Sequence, residues 1–133
     1  MILLDSSFII ALYNTRDGRH SDAGDLIKRI INKEFGDIFV SDYIFDEIAT
    51  SLMRSIGHND TTKICQALLD SSNLVTINEQ MFREAFELFK KQKITKLSFT
   101  DCTNIILMEE KGIRNIATFD NDFESIPHVN VIG

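Results

Sequence analysis

The sequence predicts an α/β protein, a three-layer α/β/α sandwich around a mostly parallel central sheet. Two observations predict this class. Short apolar runs typical of strands alternate with longer segments in which apolar residues recur at helical spacing. The short runs are also largely apolar rather than alternating with polar residues, which is typical of parallel strands that are covered on both faces.

Five short runs are predicted to form the strands of this sheet. They occupy residues 2–4, 38–40, 74–77, 115–118 and 129–132. Each is a short, largely apolar run of three or four residues, which is typical of a brief buried strand. A short apolar helical segment is expected directly behind the first run.

Four stretches between these runs carry apolar residues at helical spacing, and we expect each stripe to pack into the core. The stripes are Leu26, Ile27, Ile30 and Ile31; Phe45, Ile48, Ala49, Leu52 and Ile56; Phe82, Ala85, Phe86 and Phe89; and Cys102, Ile105, Ile106 and Met108. Segments 16–22 and 57–60 are predicted to be loops. Pattern alone does not distinguish a core stripe from an exposed apolar face used for dimerisation.

Length, charge and cysteine content limit the classes of protein that the chain can represent. Its 133 residues predict one domain, 1–133, and the excess of 20 Asp and Glu over 14 Lys and Arg gives a net charge of −6. That charge excludes a histone-like protein that binds nucleic acid through bulk positive charge. Cys65 and Cys102 lack metal-binding spacing and are expected to be reduced and buried, which favours a cytoplasmic protein. Neither a signal sequence nor a membrane span is expected.

Acidic residues stand near the ends of the predicted strands. Asp5 directly follows the first strand, and Asp120 follows the fourth strand with Asp122 two residues later. Asp101 begins the helix that leads into the fourth strand, and Glu47 lies on the helix after the second strand. Because ligands gather where the carboxyl ends of parallel strands meet, we expect these carboxylates to converge on one edge of the sheet.

Each acid has a structural explanation when it is taken alone. Asp5 and the Ser98-x-x-Asp101 sequence suit helix N-termini, while Asp120 suits a turn and Glu47 suits a solvated helix face. Converging carboxylates, however, raise each other's pKa unless a divalent cation compensates their charge. Oxygen ligands suit Mg²⁺ or Mn²⁺, and one or two such ions can activate water for the hydrolysis of a phosphodiester. A metal-dependent nuclease is therefore the leading hypothesis.

Neighbouring residues exclude two other uses of these acids. A calcium-binding EF-hand loop that began at Asp120 would need Gly and Glu where Ser125 and Val131 stand. A phosphatase of the haloacid dehalogenase type would need a second Asp two residues after Asp5, and Ser7 occupies that position. The sequence therefore disfavours both an EF-hand and a phosphatase of this type.

Four motifs resemble the ordered acidic motifs of the PIN domain family, and the resemblance covers nearly the whole chain. They are Leu4-Asp5-Ser6-Ser7, Glu47-Ile48, Leu97-Ser98-Phe99-Thr100-Asp101 and Ile116-Ala117-Thr118-Phe119-Asp120-Asn121-Asp122-Phe123. The resemblance implies a Mg²⁺-dependent endoribonuclease, most like the VapC toxins of toxin–antitoxin pairs. It also implies an RNA substrate, a small antitoxin protein as partner, and a homodimer.

The resemblance assigns roles to individual residues. The implied catalytic and metal-binding acids, for Mg²⁺ or Mn²⁺, are Asp5, Glu47, Asp101 and Asp120, with Asp122 as an additional or alternative metal ligand. Ser7 and Thr118 would orient these acids. Periodicity does not decide whether Asp46 or Glu47 enters the site, and Glu47 is chosen because it fits the motif.

Contacts to the substrate are less clearly indicated. Lys90, Lys91, Lys93 and Lys96 precede the Asp101 motif and could hold RNA phosphates, although lysines near a helix C-terminus also favour the helix dipole. Arg16 and Arg19 are alternatives. Two other functions remain open, an RNA-processing PIN nuclease without an antitoxin and a non-catalytic PIN-fold binding module.

Overall fold

Five parallel strands form the central sheet in the computed structural model, which describes residues 1–133. The strands are β1 (Ile2–Leu4), β2 (Ile38–Ser41), β3 (Asn73–Val75), β4 (Asn115–Ala117) and β5 (Asn130–Ile132), in the order β3-β2-β1-β4-β5. Every neighbouring pair is parallel. All five predicted strands are confirmed, each within two residues at either end.

Six helices connect these strands. They are α1 (Ser6–Tyr13), α2 (His20–Ile31), α3 (Asp42–Ile56), α4 (His58–Ser71), α5 (Glu79–Lys91) and α6 (Phe99–Lys111), and a short 3-10 helix spans Asn121–Ser125. The parallel pairing depends on these crossovers, because strands that run the same way cannot be joined by a tight turn. None of the helices is both long enough and apolar enough to cross a bilayer.

The sheet is covered on both faces. Ile2 and Leu3 are consecutive residues of β1 and both are fully buried, and the same holds for Ile116 and Ala117 of β4. Consecutive strand residues point to opposite faces, so helices must cover each side of these central strands. A single cluster of 28 buried hydrophobic residues includes these four. The predicted three-layer α/β/α architecture is confirmed.

Two predicted loops contain the beginnings of helices. Helix α2 begins at His20, inside segment 16–22, and α4 begins at His58, inside segment 57–60. Helix α4 had no predicted stripe because its buried face consists of Thr61, Cys65 and Leu68, of which only the leucine is strongly apolar. Gly57 joins α3 to α4 with a φ of 85°, a conformation that glycine adopts without strain and that lets the chain turn in one residue.

The predicted core stripe on α5 is wrong for three of its four residues. Phe82, Phe86 and Phe89 are 44%, 47% and 40% exposed, and α5 instead buries Met81 and Ala85. Helical spacing identifies an apolar face but not the element that covers it. In this fold the α5 phenylalanines lie at the surface of the chain, where Phe99 covers part of Phe82 and Phe89.

Ile31 is a second exception to the predicted stripes, because it is 65% exposed at the end of α2 whereas Leu26 and Ile30 are buried. Both cysteines are free and buried, as predicted. Burial, together with the nearby Asp101 carboxylate, raises the pKa of the Cys102 thiol to about 11, so this thiol stays protonated near neutral pH.

Adjacent residues on α3 provide a test of the core. Leu52 is fully buried, whereas Met53 is 46% exposed. We expect Leu52→Ala to lower the free energy of unfolding by about 2–5 kcal/mol, because it removes buried methyl groups and leaves a cavity. Met53→Ala, the matched control, should lower it by less than about 1 kcal/mol. Urea unfolding followed by circular dichroism measures both values, and equal losses would contradict this placement of α3.

Candidate active site

The site lies where the chain leaves the two central strands β1 and β4. Asp5 follows β1 directly, and its backbone N–H donates to the carbonyl oxygen of Ala117 at 3.0 Å. Thr118 follows β4 directly, so Asp5 and Thr118 leave the sheet side by side. The chain adds β2 and then β3 on one side of β1 and afterwards crosses to add β4 and β5 on the other side. Open parallel sheets bind ligands where the strand order switches in this way.

Asp5 is buried and held by hydrogen bonds from three side chains. Its Oδ2 accepts from Thr118 Oγ1 at 2.7 Å and from Ser7 Oγ at 2.8 Å, and its Oδ1 accepts from Asn104 Nδ2 at 3.4 Å. Ser7 and Thr118 also contact each other, with their hydroxyl oxygens 3.1 Å apart. The two hydroxyls therefore fix the orientation of the Asp5 carboxylate. The role predicted for Ser7 and Thr118 requires these contacts.

Burial raises the pKa of Asp5 above its usual value, and the negative charge of Glu47 acts in the same direction. The hydrogen bonds from Thr118 and Ser7 oppose this shift because they favour the charged carboxylate. Asp5 thus combines a strong desolvation penalty with hydrogen-bond donors that stabilise its ionised form.

Glu47, rather than Asp46, contacts the segment that carries Asp5. Ser6 Oγ donates to Glu47 Oε2 at 2.7 Å, and Ser6 is the residue that follows Asp5. Glu47 is partly buried, whereas Asp46 is exposed. The Ser6 contact therefore brings Glu47 close to Asp5. We refer to Asp5, Glu47, Asp101 and Asp120 as the acid cluster.

Asp101 serves the local fold and also lies near the other acids. Ser98 Oγ accepts from the Asp101 N–H at 3.0 Å, and Asp101 Oδ2 accepts from the Ser98 N–H at 2.9 Å, forming a capping box at the start of α6. Burial raises the pKa of Asp101 to about 6, and the charges of Asp5 and Asp120 contribute in the same direction. Asp101 therefore caps α6 and also lies close to the other carboxylates.

Asp120 is positioned by the residues that surround it in sequence. Its N–H donates to Thr118 Oγ1 at 3.1 Å, and its Oδ1 accepts from the Asp122 N–H at 2.9 Å. The preceding N–H, that of Phe119, donates to Ser7 Oγ at 3.1 Å. Asp120 acts on the pKa of Asp101, whereas Asp122 contacts the cluster through its backbone N–H.

Sequence reasoning missed two residues that contact the cluster. Asn104 is fully buried on α6, and its Oδ1 has no hydrogen-bond partner while its Nδ2 donates to Asp5. Its signal is a lone amide in a buried apolar run, three residues after Asp101 and hence on the same side of the helix. Ser6, which holds Glu47, carried no signal beyond its place at a helix start.

The predicted substrate-binding lysines lie at the surface. Lys90, Lys91, Lys93 and Lys96 are all exposed, and Lys90 pairs with Glu87 at 2.8 Å. None of the four forms a hydrogen bond with an acid of the cluster. Arg19 packs its guanidinium over the ring of Phe119, 5.1 Å from the centroid, so it lies beside the segment that carries Asp120.

The residues fit a hard divalent cation in charge and in donor chemistry. None of the ion pairs in the chain involves an acid of the cluster, so the cluster carboxylates have no cationic side chain as partner. The available donors are carboxylate, hydroxyl and amide oxygens, including the unpartnered Asn104 Oδ1. No three acidic, histidine or cysteine side chains form a ready-made ligand set. Mg²⁺ keeps several waters and takes one or two carboxylates directly, so it does not require three such side chains.

The raised pKa of Asp101 has a consequence for stability in the absence of metal. The folded protein keeps the Asp101 proton up to about pH 6, whereas an ordinary Asp loses it near its reference pKa of 3.8. The folded state therefore binds more protons than the unfolded state in this window, and stability falls as pH rises through it. Asn is neutral and can still accept from the Ser98 N–H.

We expect Asp101→Asn to raise the free energy of unfolding in EDTA by about 1–2 kcal/mol at neutral pH, a value discounted because the side chain is partly exposed. Near pH 4 the variant and the wild-type protein should differ little. Urea titrations at a series of pH values provide the measurement. A difference that does not change with pH would show that the Asp101 charge is not its cause.

Comparison with known proteins identifies the family of this chain. The sequence model of the PIN domain family matches residues 2–129 of this chain. The 23S rRNA-specific endonuclease VapC20 of Mycobacterium tuberculosis is 31% identical over 134 residues, covering 98% of both chains. A VapC ribonuclease of Archaeoglobus fulgidus is 26% identical over 130 residues, covering 96% of this chain and 81% of that protein.

Solved structures give the same result. The crystal structure of M. tuberculosis VapC20, described as a sarcin-ricin loop cleaving toxin, matches with a TM-score of 0.82 and 28% identity over 94% of each chain. A toxin–antitoxin complex from Klebsiella pneumoniae (TM-score 0.71, 16% identity, 100% and 97% coverage) shares the fold. So does VapBC2 of Rickettsia felis bound to a promoter DNA fragment (TM-score 0.66, 13% identity, 99% and 98% coverage). With a family match from residue 2 to residue 129, the chain belongs to the PIN domain family.

Proposed function

We propose that the protein is a Mg²⁺- or Mn²⁺-dependent endoribonuclease that hydrolyses RNA phosphodiester bonds. The observation that carries this proposal is the buried Asp5 carboxylate, which is held by Ser7 and Thr118 and surrounded by further acids without a cationic partner. The activities of the relatives support it, since VapC20 is a 23S rRNA-specific endonuclease and the archaeal relative is a VapC ribonuclease.

In this mechanism Asp5, Glu47, Asp101 and Asp120 would hold the ion, with Asp122 as an additional or alternative ligand. A bound divalent ion polarises the phosphate and lowers the pKa of water, which supplies a nucleophile near neutral pH. The remaining residues of the cluster keep these carboxylates in place. Ser7 and Thr118 orient Asp5, Ser98 holds Asp101 through the capping box, and Ser6 holds Glu47.

Neutralising a cluster acid should abolish cleavage without unfolding the chain. We expect Asp5→Asn and Asp101→Asn to lower RNA cleavage in Mg²⁺ by at least about a hundredfold, because each removes a charge that holds the ion. Gel analysis of a labelled RNA provides the measurement, with circular dichroism to show that the variants are folded. EDTA should likewise stop cleavage by the wild-type protein.

Asp60→Asn is the matched control, since Asp60 is an exposed acid on α4 away from the cluster. This variant should cleave RNA at the wild-type rate. Full activity of the Asp101→Asn protein would refute the assigned mechanism.

We further propose that the protein acts in the cytoplasm as the toxin of a toxin–antitoxin pair. The VapC names of its relatives support this role. An adjacent short reading frame whose product blocks cleavage would support it directly. Cleavage with no such inhibitor would instead favour an RNA-processing nuclease, and folded protein that binds RNA without cleaving it would favour a binding module.

A homodimer is the second part of this proposal, formed through the α5 aromatic face, which we define as Phe82, Phe86 and Phe89. Phe99 packs against Phe82 and Phe89 within one chain, but each of the three rings stays at least 40% exposed. Acidic and basic side chains flank them, among them Glu79, Arg83, Glu87 and Lys90. In a twofold pairing of two α5 helices, the acids of one copy can face the bases of the other, so the surface is self-complementary.

Placing a charge in the α5 aromatic face should dissociate the dimer. We expect Phe86→Glu to convert the protein to a monomer, because the interface would bury an unpaired carboxylate. Leu69→Glu, at an exposed leucine on α4, is the control and should leave the mass unchanged. Light scattering coupled to size exclusion measures the mass. A wild-type monomer, or a dimer that survives Phe86→Glu, would contradict the assignment.

A further inference from the structure

A polar groove runs between α1 and α3 and begins at the acid cluster. Its volume is about 600 Å³. Glu47 and Ser6 line it, and their side chains hydrogen-bond to each other, so the groove is continuous with the site. Further hydroxyls from Thr50, Ser51 and Ser55 line it, and Ile10 is its only hydrophobic residue.

One face of α3 forms the long wall of this groove. Glu47, Thr50, Ser51, Arg54 and Ser55 follow the three- and four-residue spacing that places side chains on the same side of a helix. Seven residues separate Glu47 from Arg54, which corresponds to about 10 Å along the helix axis. Arg54 therefore lies two helical turns along the groove from the acids.

Arg54 is the only cationic side chain among the residues that line the groove. It lines the groove but forms none of the ion pairs of the chain. A second cavity of about 420 Å³ adjoins the same acids and is lined by Asp42, Tyr43, Asp46, Glu47 and Thr100, with no cation among them. The Arg54 guanidinium is exposed and free to bind an anion, although the carboxylates of Asp46 and Glu47 also line the groove. The neighbouring hydroxyls can bind hydroxyl groups of the same ligand.

We propose that the groove binds the ribose-phosphate backbone of a single-stranded RNA segment next to the bond that is cleaved, with Arg54 on a flanking phosphate. This inference rests on the proposed function, because it takes the substrate to be RNA. A guanidinium can bind phosphate oxygens through two parallel hydrogen bonds. The α3 hydroxyls can donate to and accept from ribose 2′-hydroxyls, which DNA lacks.

The lining favours RNA over a protein segment as the occupant. An amphipathic peptide helix needs an apolar groove for its anchoring side chains. Here Ile10 alone is hydrophobic, and the other lining residues are charged or carry hydroxyls. A flexible polyanion matches this chemistry better than a peptide does.

The test compares Arg54→Gln with Arg114→Gln. Arg114 is exposed and precedes β4, so it lies at the amino ends of the strands, opposite the site. Both variants remove one positive charge from the protein. Fluorescence anisotropy with a labelled single-stranded RNA oligonucleotide, in EDTA and over a series of salt concentrations, measures binding separately from cleavage.

We expect Arg54→Gln to weaken RNA binding by about tenfold at low salt. The slope of log K against log salt should become shallower by about 0.7, the value for one phosphate contact on a single strand. Arg114→Gln should change neither quantity. Replacing both Thr50→Val and Ser51→Ala should reduce the preference of the protein for RNA over a DNA oligonucleotide of the same sequence.

Equal effects of the two arginine variants, an unchanged salt slope for Arg54→Gln, or no wild-type binding at low salt would overturn the proposal. If Arg54→Gln leaves RNA binding intact but changes the mass of the protein, the groove is a protein interface. If the wild-type protein binds RNA with the expected Arg54 dependence but does not cleave it in Mg²⁺, the nuclease proposal fails while the groove assignment stands.

Discussion

The burial of the Asp5 carboxylate at the end of β1 is the constraint on which the rest of the site depends. A desolvated carboxylate is costly unless donors surround it, and the donors here come from distant parts of the chain. Thr118 reaches Asp5 only because β4 pairs with β1, and Asn104 reaches it only because α6 leads into that strand. Moving either element would leave the charge unpartnered, so the order of the sheet and the geometry of the site are coupled.

The net negative charge of the chain and the acids gathered at the site have different consequences for RNA binding. The net charge of −6 disfavours tight RNA binding through bulk electrostatics. Burial is the main cause of the raised pKa of Asp101, and the charges of Asp5 and Asp120 add to it, so part of the negative charge is concentrated at the site. One bound divalent ion would change the net charge from −6 to −4 and would do so where a scissile phosphate must sit. Selection of a substrate then depends on local cations, of which Arg54 is the one that lines a groove leading to the acids.

Strand positions and the convergence of the acids could be predicted because both follow from short-range patterns and one rule of topology. Apolar runs identify the strands, and parallel pairing brings their carboxyl ends together. The exposed face of α5 could not be predicted, because spacing reveals an apolar face without revealing its cover. Helix α4 was missed since Thr61 and Cys65 are buried without being strongly apolar. The Ser6 contact with Glu47 joins residues 41 positions apart, which no local pattern encodes.

That contact also explains how one helix can serve two purposes. Ser6 fixes Glu47 against the segment that carries Asp5, and this sets the rotation of α3 about its own axis relative to the site. The spacing of a helix then dictates which later residues share that side, and Arg54 is among them. Ile44, Ile48 and Leu52 form a neighbouring stripe of α3 that is buried in the core, and they hold this rotation in place. The same buried stripe that stabilises the fold therefore aligns the acid cluster with the only cation along the groove.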